Sequence, residues 1–162
     1  MTSHAQSQTP LALSIGDPAG IGPELICEAW AQSQSAQLQP FFAIGGAGLL
    51  ASAAKQREVD CPIIAIADPA EAADAFALGL PVLGREDAPY TPGQPDDAGA
   101  ALALHSLAEA VRLALLGQSS GLATAPVAKA QLAKVGFEFP GQTEFLAAVC
   151  GLSPDDAVMM LA

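Results

Sequence analysis

The residues of this chain best placed to do chemistry sit in two separated segments. The first is Ser14-Ile15-Gly16-Asp17-Pro18-Ala19-Gly20-Ile21-Gly22-Pro23-Glu24. An apolar run, Leu11 to Ile15, empties into a glycine-rich loop, and Pro23 stands where a first helical turn begins, where its missing N–H costs nothing. Strand, loop and helix in that order place free N–H groups beside glycines that permit close approach, an arrangement that favours an anion or polar ligand. A plain turn between two elements is the alternative, because neither GxGxxG nor GxxxxGK[ST] is present. The second segment runs Thr124-Ala125-Pro126-Val127-Ala128-Lys129 and continues, after a short gap, as Gly136-Phe137-Glu138-Phe139-Pro140-Gly141-Gln142-Thr143-Glu144-Phe145-Leu146.

Metal and thiol chemistry find less support. Cys27, Cys61 and Cys150 are odd in number, far apart and set in apolar sequence, a pattern expected of reduced, buried thiols. His4 lies in the amino-terminal tail and His105 within a helical pattern, so no cluster with metal-ligand spacing is expected in this chain.

The elements that must position these segments alternate. Strand-like apolar runs are Leu11 to Ile15, Phe41 to Ile44, Ile63 to Ala67, Pro81 to Leu83, Leu122 to Thr124 and Ala157 to Leu161. Helices are expected over Pro23 to Ser33, Ala47 to Arg57, Ala98 to Leu116, Val127 to Val135 and Thr143 to Cys150. The third is the clearest, with Leu104, Leu107, Val111 and Leu115 at helical spacing and Gly117 as a stop. Such alternation predicts a layered α/β fold. Gly45-Gly46-Ala47-Gly48 also follows a strand and opens a helix, with Asp68 closing the next strand, which imitates part of a dinucleotide fingerprint. Its glycine spacing is wrong, and Asp68 heads Asp-Pro-Ala-Glu, a helix N-cap pattern.

The two segments, in this order, resemble the 4-hydroxythreonine-4-phosphate dehydrogenase family of vitamin B6 biosynthesis, over about Leu11 to Ala162. The resemblance implies an α/β/α fold of the isocitrate and isopropylmalate dehydrogenase type, here incomplete. It further implies oxidation of 4-phosphooxy-L-threonine by NAD or NADP to a 3-oxo acid that loses carbon dioxide. By the same analogy Asp17, Gly20 and Gly22 line the cofactor side of the cleft, or form a turn that shapes it. Glu24 is read as favourable first-turn charge. Lys129 is either a point charge for a substrate phosphate or a solvated helix residue. Gln142 and Thr143 occupy the family's substrate-contacting pair, with glutamine where the family usually has histidine, so a hydrogen bond is kept and a positive charge is not. Capping of the following helix is their alternative role.

The resemblance implies as well a divalent metal (zinc, magnesium or cobalt) held by three histidines. Those histidines lie beyond the point matching Met159-Met160-Leu161-Ala162, and active sites combine residues of two subunits. Residues 1–10 are expected to be a flexible tail and 11–162 the amino-terminal α/β portion of a larger two-domain enzyme, inactive alone and homodimeric. A related dehydrogenase for another phosphorylated hydroxy acid, such as threonate 4-phosphate, and a non-catalytic binding or assembly module are the other readings.

Composition sets outer bounds. An apolar fraction of 51% over 162 residues supports one domain with a real core. Six Lys and Arg against 17 Asp and Glu, net charge −11, argue against nucleic acid. The longest apolar stretch, Phe41 to Ala54, is broken by glycines and Ser52 and falls short of the roughly 20 residues a bilayer requires, so no membrane segment is expected. Residues 1–10 have neither a basic region nor an apolar signal core, so the expected location is cytoplasmic.

Overall fold

The computed structural model describes residues 9–158 and Met160. Its centre is a five-stranded parallel sheet in the order β3-β4-β2-β1-β5. The strands are β1 (Leu11–Ser14), β2 (Phe41–Ile44), β3 (Ile63–Ile66), β4 (Leu80–Leu83) and β5 (Leu122–Thr124). The connecting helices are α1 (Gly22–Ala31), α2 (Ala47–Gln56), α3 (Ala72–Phe76) and α4 (Asp97–Leu115), and α5 (Lys129–Lys134) and α6 (Gln142–Val149) follow β5.

Period-two alternation along the strands separates the two faces of the sheet. Phe41, Ala43, Leu80 and Val82 join Ile26, Cys27, Leu49, Leu50 and Ala53 of α1 and α2 in one core. Phe42, Ile44 and Leu83 turn the other way, with Ala72 and Ala75 of α3 and Ala110 and Leu113 of α4. Burial on both faces is why β2 and β4 are apolar throughout. The result is the expected α/β/α layering.

Helix α4 is long and apolar enough to cross a bilayer, but Leu102, Ala103, Leu107, Ala110, Val111 and Leu113 are buried in the protein, so it is the central core helix. Asp96 caps its start by accepting from the Gly99 N–H at 2.7 Å, and Gly117 at φ 69° ends it. A third cluster, Ala103 and Leu107 with Leu132 and Phe137, docks α5 against α4. Phe137, Phe139 and Phe145 pack edge to face or tilted at centroid distances of 5.3–5.6 Å, which anchors α6 beside them.

The five expected helices and the first five expected strands are present, with ends shifted by one or two residues. Helix α3 was not expected, because five residues carry too little periodicity to register. Asp68 is the expected N-cap: it accepts from Ala70 N–H at 2.8 Å while Glu71 accepts from Asp68 N–H at 3.0 Å, a reciprocal capping box. Of the strand expected over Ala157 to Leu161, Ala157, Val158 and Met160 are irregular, and Met159 and Leu161 lie outside the described residues. So does the expected tail, apart from Thr9 and Pro10; Pro10 is buried and its carbonyl accepts from Ser120 N–H. Cys27 and Cys61 are buried, but Cys150, just past α6, is exposed, contrary to the expectation of three buried thiols. The apolar residues around it in sequence lie on a short terminal helix that buries only Ala147.

Candidate active site at the carboxyl end of β1 and β5

Strands β1 and β5 are paired in register, Ser14 opposite Thr124, so the segments that leave them emerge side by side. The chain then turns at Gly16, which has φ +70°, and a Cβ there would run into the Pro126 carbonyl and Ala125. The close approach is used at once: Asp17 N–H donates to Pro126 O at 2.9 Å. At Gly22 a Cβ would meet Ile15 O at 2.5 Å and the Ala125 methyl at 2.9 Å. Gly16 and Gly22 therefore lock the β1–α1 loop against the β5–α5 connection. Gly20 differs, since only Asp17 atoms lie within 4 Å of its side-chain position. Asp17 organises the turn itself, with Oδ1 accepting from Ala19 N–H and its carbonyl from Gly20 N–H, both at 2.9 Å.

The second segment reaches the same place by a longer route. Gly141 is the N-cap of α6, extended and with no side-chain cap, so Gln142 and Thr143 form the first turn and neither caps it. The side-chain ends of Glu144 and Lys129 crowd Gly141, with Glu144 Oε2 2.9 Å and Lys129 Nζ 3.4 Å from where a Cβ would sit. An ammonium at the start of α5 is thus brought next to the start of α6. Lys129 itself is exposed. The Thr124 hydroxyl donates to Gln142 Oε1 at 3.1 Å, linking the last residue of β5 to the first of α6. The other end of that amide, Nε2, is buried without a hydrogen-bond partner among the described residues.

Supporting contacts hold this end of the sheet. The Ser106 hydroxyl, fully buried in the middle of α4, accepts from Ile15 N–H at 3.1 Å and donates to Ile44 O at 2.8 Å, tying the exits of β1 and β2 together. Glu24 in the first turn of α1 accepts from the Tyr90 hydroxyl at 2.8 Å and pairs with Arg57 at 3.4 Å. Burial, then the Glu24 contact, pushes the Tyr90 phenol up to about 12. Glu24 is the expected first-turn charge, with a structural task besides.

The competing loop Gly45–Gly48 is closed from within. The Asp87 carboxylate accepts from Gly48 N–H at 2.8 Å and Leu49 N–H at 3.2 Å, taking the start of α2 that an anion would otherwise use. Gly45 and Gly46 donate to Leu83 O and Glu86 O, both at 2.7 Å. A cavity of about 710 Å³ also lies elsewhere, beyond the ends of β3 and β4, where Arg85, Glu86, His105, Glu109 and Arg112 line it. Its polar side chains are mostly paired: Arg112 with Glu109 at 2.7 Å, and the His105 ring with Glu86 at 3.5 Å. Among the described residues no three His, Cys, Asp or Glu side chains converge as a metal site.

Thr124, Ser106 and Asp87 have roles that sequence reasoning missed. Thr124 had a visible signal, its place at the head of the Thr-Ala-Pro-Val-Ala-Lys stretch. Ser106 and Asp87 act across 91 and 39 positions of sequence, and nothing local marks them.

The pyridoxal phosphate biosynthetic protein PdxA family model matches residues 37–162. A 4-hydroxythreonine-4-phosphate dehydrogenase of Erythrobacter litoralis is 57% identical over 157 residues, covering 97% of this chain and 47% of the relative. A protein of the same name from Zymomonas mobilis is 51% identical, covering 94% and 44%. The crystal structure of a 4-hydroxythreonine-4-phosphate dehydrogenase from Burkholderia phymatum superposes with a TM-score of 0.78 at 27% identity, over 90% of this chain and 44% of that one. The chain spans about half the length of the relatives it matches. With the family model matching more than half of its residues, the chain belongs to the PdxA family of pyridoxal phosphate biosynthetic proteins.

Proposed function

We propose that the chain forms the amino-terminal α/β portion of a two-domain, homodimeric 4-hydroxythreonine-4-phosphate dehydrogenase. Its reaction is oxidation of 4-phosphooxy-L-threonine by NAD or NADP, followed by decarboxylation, on the route to pyridoxine 5′-phosphate. The observation that carries this reading is the identity of 57% to a relative of that name, across nearly the whole chain.

Within that reaction Gln142 and Thr143 bind the phosphorylated substrate, Gln142 through its amide and Thr143 through its hydroxyl and the uncapped first turn of α6. Lys129, 3.4 Å from the side-chain position of Gly141, adds a positive charge to the same edge. A bound nicotinamide supplies the hydride acceptor. Asp17 and Gly20 are the parts of the β1–α1 loop that face it, because only Asp17 atoms of the loop itself come within 4 Å of the Gly20 side-chain position, while Gly22 holds the loop in place. No cluster of three His, Cys, Asp or Glu side chains able to hold a divalent ion exists among the described residues.

The test is nicotinamide reduction with 4-phosphooxy-L-threonine and a divalent metal, comparing the 162-residue chain with the product of its complete reading frame. Turnover by the complete product and none by the chain alone is expected. Turnover by the chain alone overturns the division of labour. The neutral Gln142 favours a second reading: if the complete product instead oxidises threonate 4-phosphate, the family chemistry stands and the substrate has moved.

A further inference from the structure

The Gln142 carboxamide has two hydrogen-bonding ends, and the protein satisfies one. Oε1 accepts from the Thr124 hydroxyl at 3.1 Å, and Nε2 is buried with no partner among the described residues. A buried donor without an acceptor has given up its water and received nothing in return, so it is destabilising until a partner arrives. The side chain is nonetheless held in place, because Thr124 ends a strand paired to β1 and Gln142 opens a helix anchored by Phe145. We propose that Thr124 is a positioning residue: by engaging Oε1 it directs the NH₂ of Gln142 at the ligand, as a neutral donor for an oxyanion oxygen. The inference rests on the proposed substrate contact at Gln142 and adds what aims it.

Two properties follow. The contact carries no proton of its own to gain or lose near neutral pH, as a histidine would. It also depends on the Thr124 hydroxyl and not on its methyl group, so serine is an adequate replacement and valine, similar in shape, is not.

The experiment is calorimetric titration of the complete gene product with 4-phosphooxy-L-threonine, inorganic phosphate and L-threonine, for the wild type, T124V, T124S, Q142A and T124V/Q142A. Loss of one hydrogen bond predicts affinity for 4-phosphooxy-L-threonine about 3- to 10-fold weaker in T124V and in Q142A. T124S should bind like the wild type, the double variant like Q142A, and all should melt at similar temperatures. The phosphate and threonine arms tell which oxygen is held, since only the ligand carrying it loses affinity in Q142A.

Equal weakening in T124S and T124V, or losses that multiply in the double variant, overturns the positioning role. T124V without effect beside a weakened Q142A overturns it too, while leaving the Gln142 contact intact. Q142A without effect removes the substrate contact and this inference together. Should T124V fail to fold, T124A takes its place beside T124S: weaker binding in T124A alone is expected, and equal affinity in T124A and T124S overturns the positioning role.

Discussion

The β1–α1 and β2–α2 loops have the same local design, an apolar strand, a run of glycines and a helix start, and the protein uses them in opposite ways. At the start of α2 the Asp87 carboxylate takes the Gly48 and Leu49 N–H groups, and the residues after β4 fill the bend. At the start of α1 no side chain among the described residues caps the helix, and the loop packs instead against Ala125 and Pro126, which lead toward α6. A glycine loop ahead of a helix is therefore a ligand site only where the rest of the chain leaves it open. One acidic residue 39 positions away settles the matter for α2.

The largest effect should come from breaking the first loop at its tightest point. Gly16→Ala places a side chain at φ +70° against the Pro126 carbonyl, and left-handed strain plus overpacking should cost about 2–4 kcal/mol. Gly20→Ala, in the same loop but without a left-handed φ and with its nearest contact, Asp17 O, at 3.3 Å, should stay within about 1 kcal/mol. Urea melts of the two variants check the contrast, and equal losses would show that the loop is not locked as described.

Ser106→Ala should disturb both loops, since one hydroxyl serves Ile15 N–H and Ile44 O. Two buried groups left unpaired predict a loss of about 2 kcal/mol, with faster amide exchange at Ile15 as the local signature. Asp87→Ala should cost about 1 kcal/mol and leave the start of α2 uncapped, as α1 is. Asp87→Asn keeps one acceptor oxygen and sets an NH₂ donor against the other N–H, so it should recover at most part of that stability.

The smallest effect concerns alkaline pH. The folded-state Tyr90 phenol is held protonated up to about 12, above its ordinary value near 10. Between those values the unfolded chain binds fewer protons than the folded one, so stability falls as pH rises through that window and is unaffected below it. Tyr90→Phe should remove this part of the alkaline loss, measured as the difference in melting temperature between the two proteins across the range.

Local pattern was enough for most of the fold. Alternating strands, the α4 periodicity ending at Gly117 and the Asp68 cap are all short-range signals, and each appears where sequence puts it. Helix α3 escaped because it is too short to show a period. The candidate site was legible only as two segments. What joins them, the pairing of Ser14 with Thr124 and the contact from Thr124 to Gln142, depends on which strands become neighbours, and five strands in the order β3-β4-β2-β1-β5 cannot be read from spacing along the chain. The closure of the second loop by Asp87 was hidden for the same reason.

The central claim is that the phosphorylated substrate is met at the start of α6 and not at the better-formed helix start of α2 or in the cavity beside His105 and Arg112. Amide chemical shifts of the ¹⁵N-labelled chain during titration with 4-phosphooxy-L-threonine test it directly. The Gln142 and Thr143 backbone amides and the Gln142 side-chain NH₂ should move, with Gly48 and Leu49 unmoved. Shifts confined to Gly48 and Leu49, or to the residues around His105 and Arg112, would contradict it.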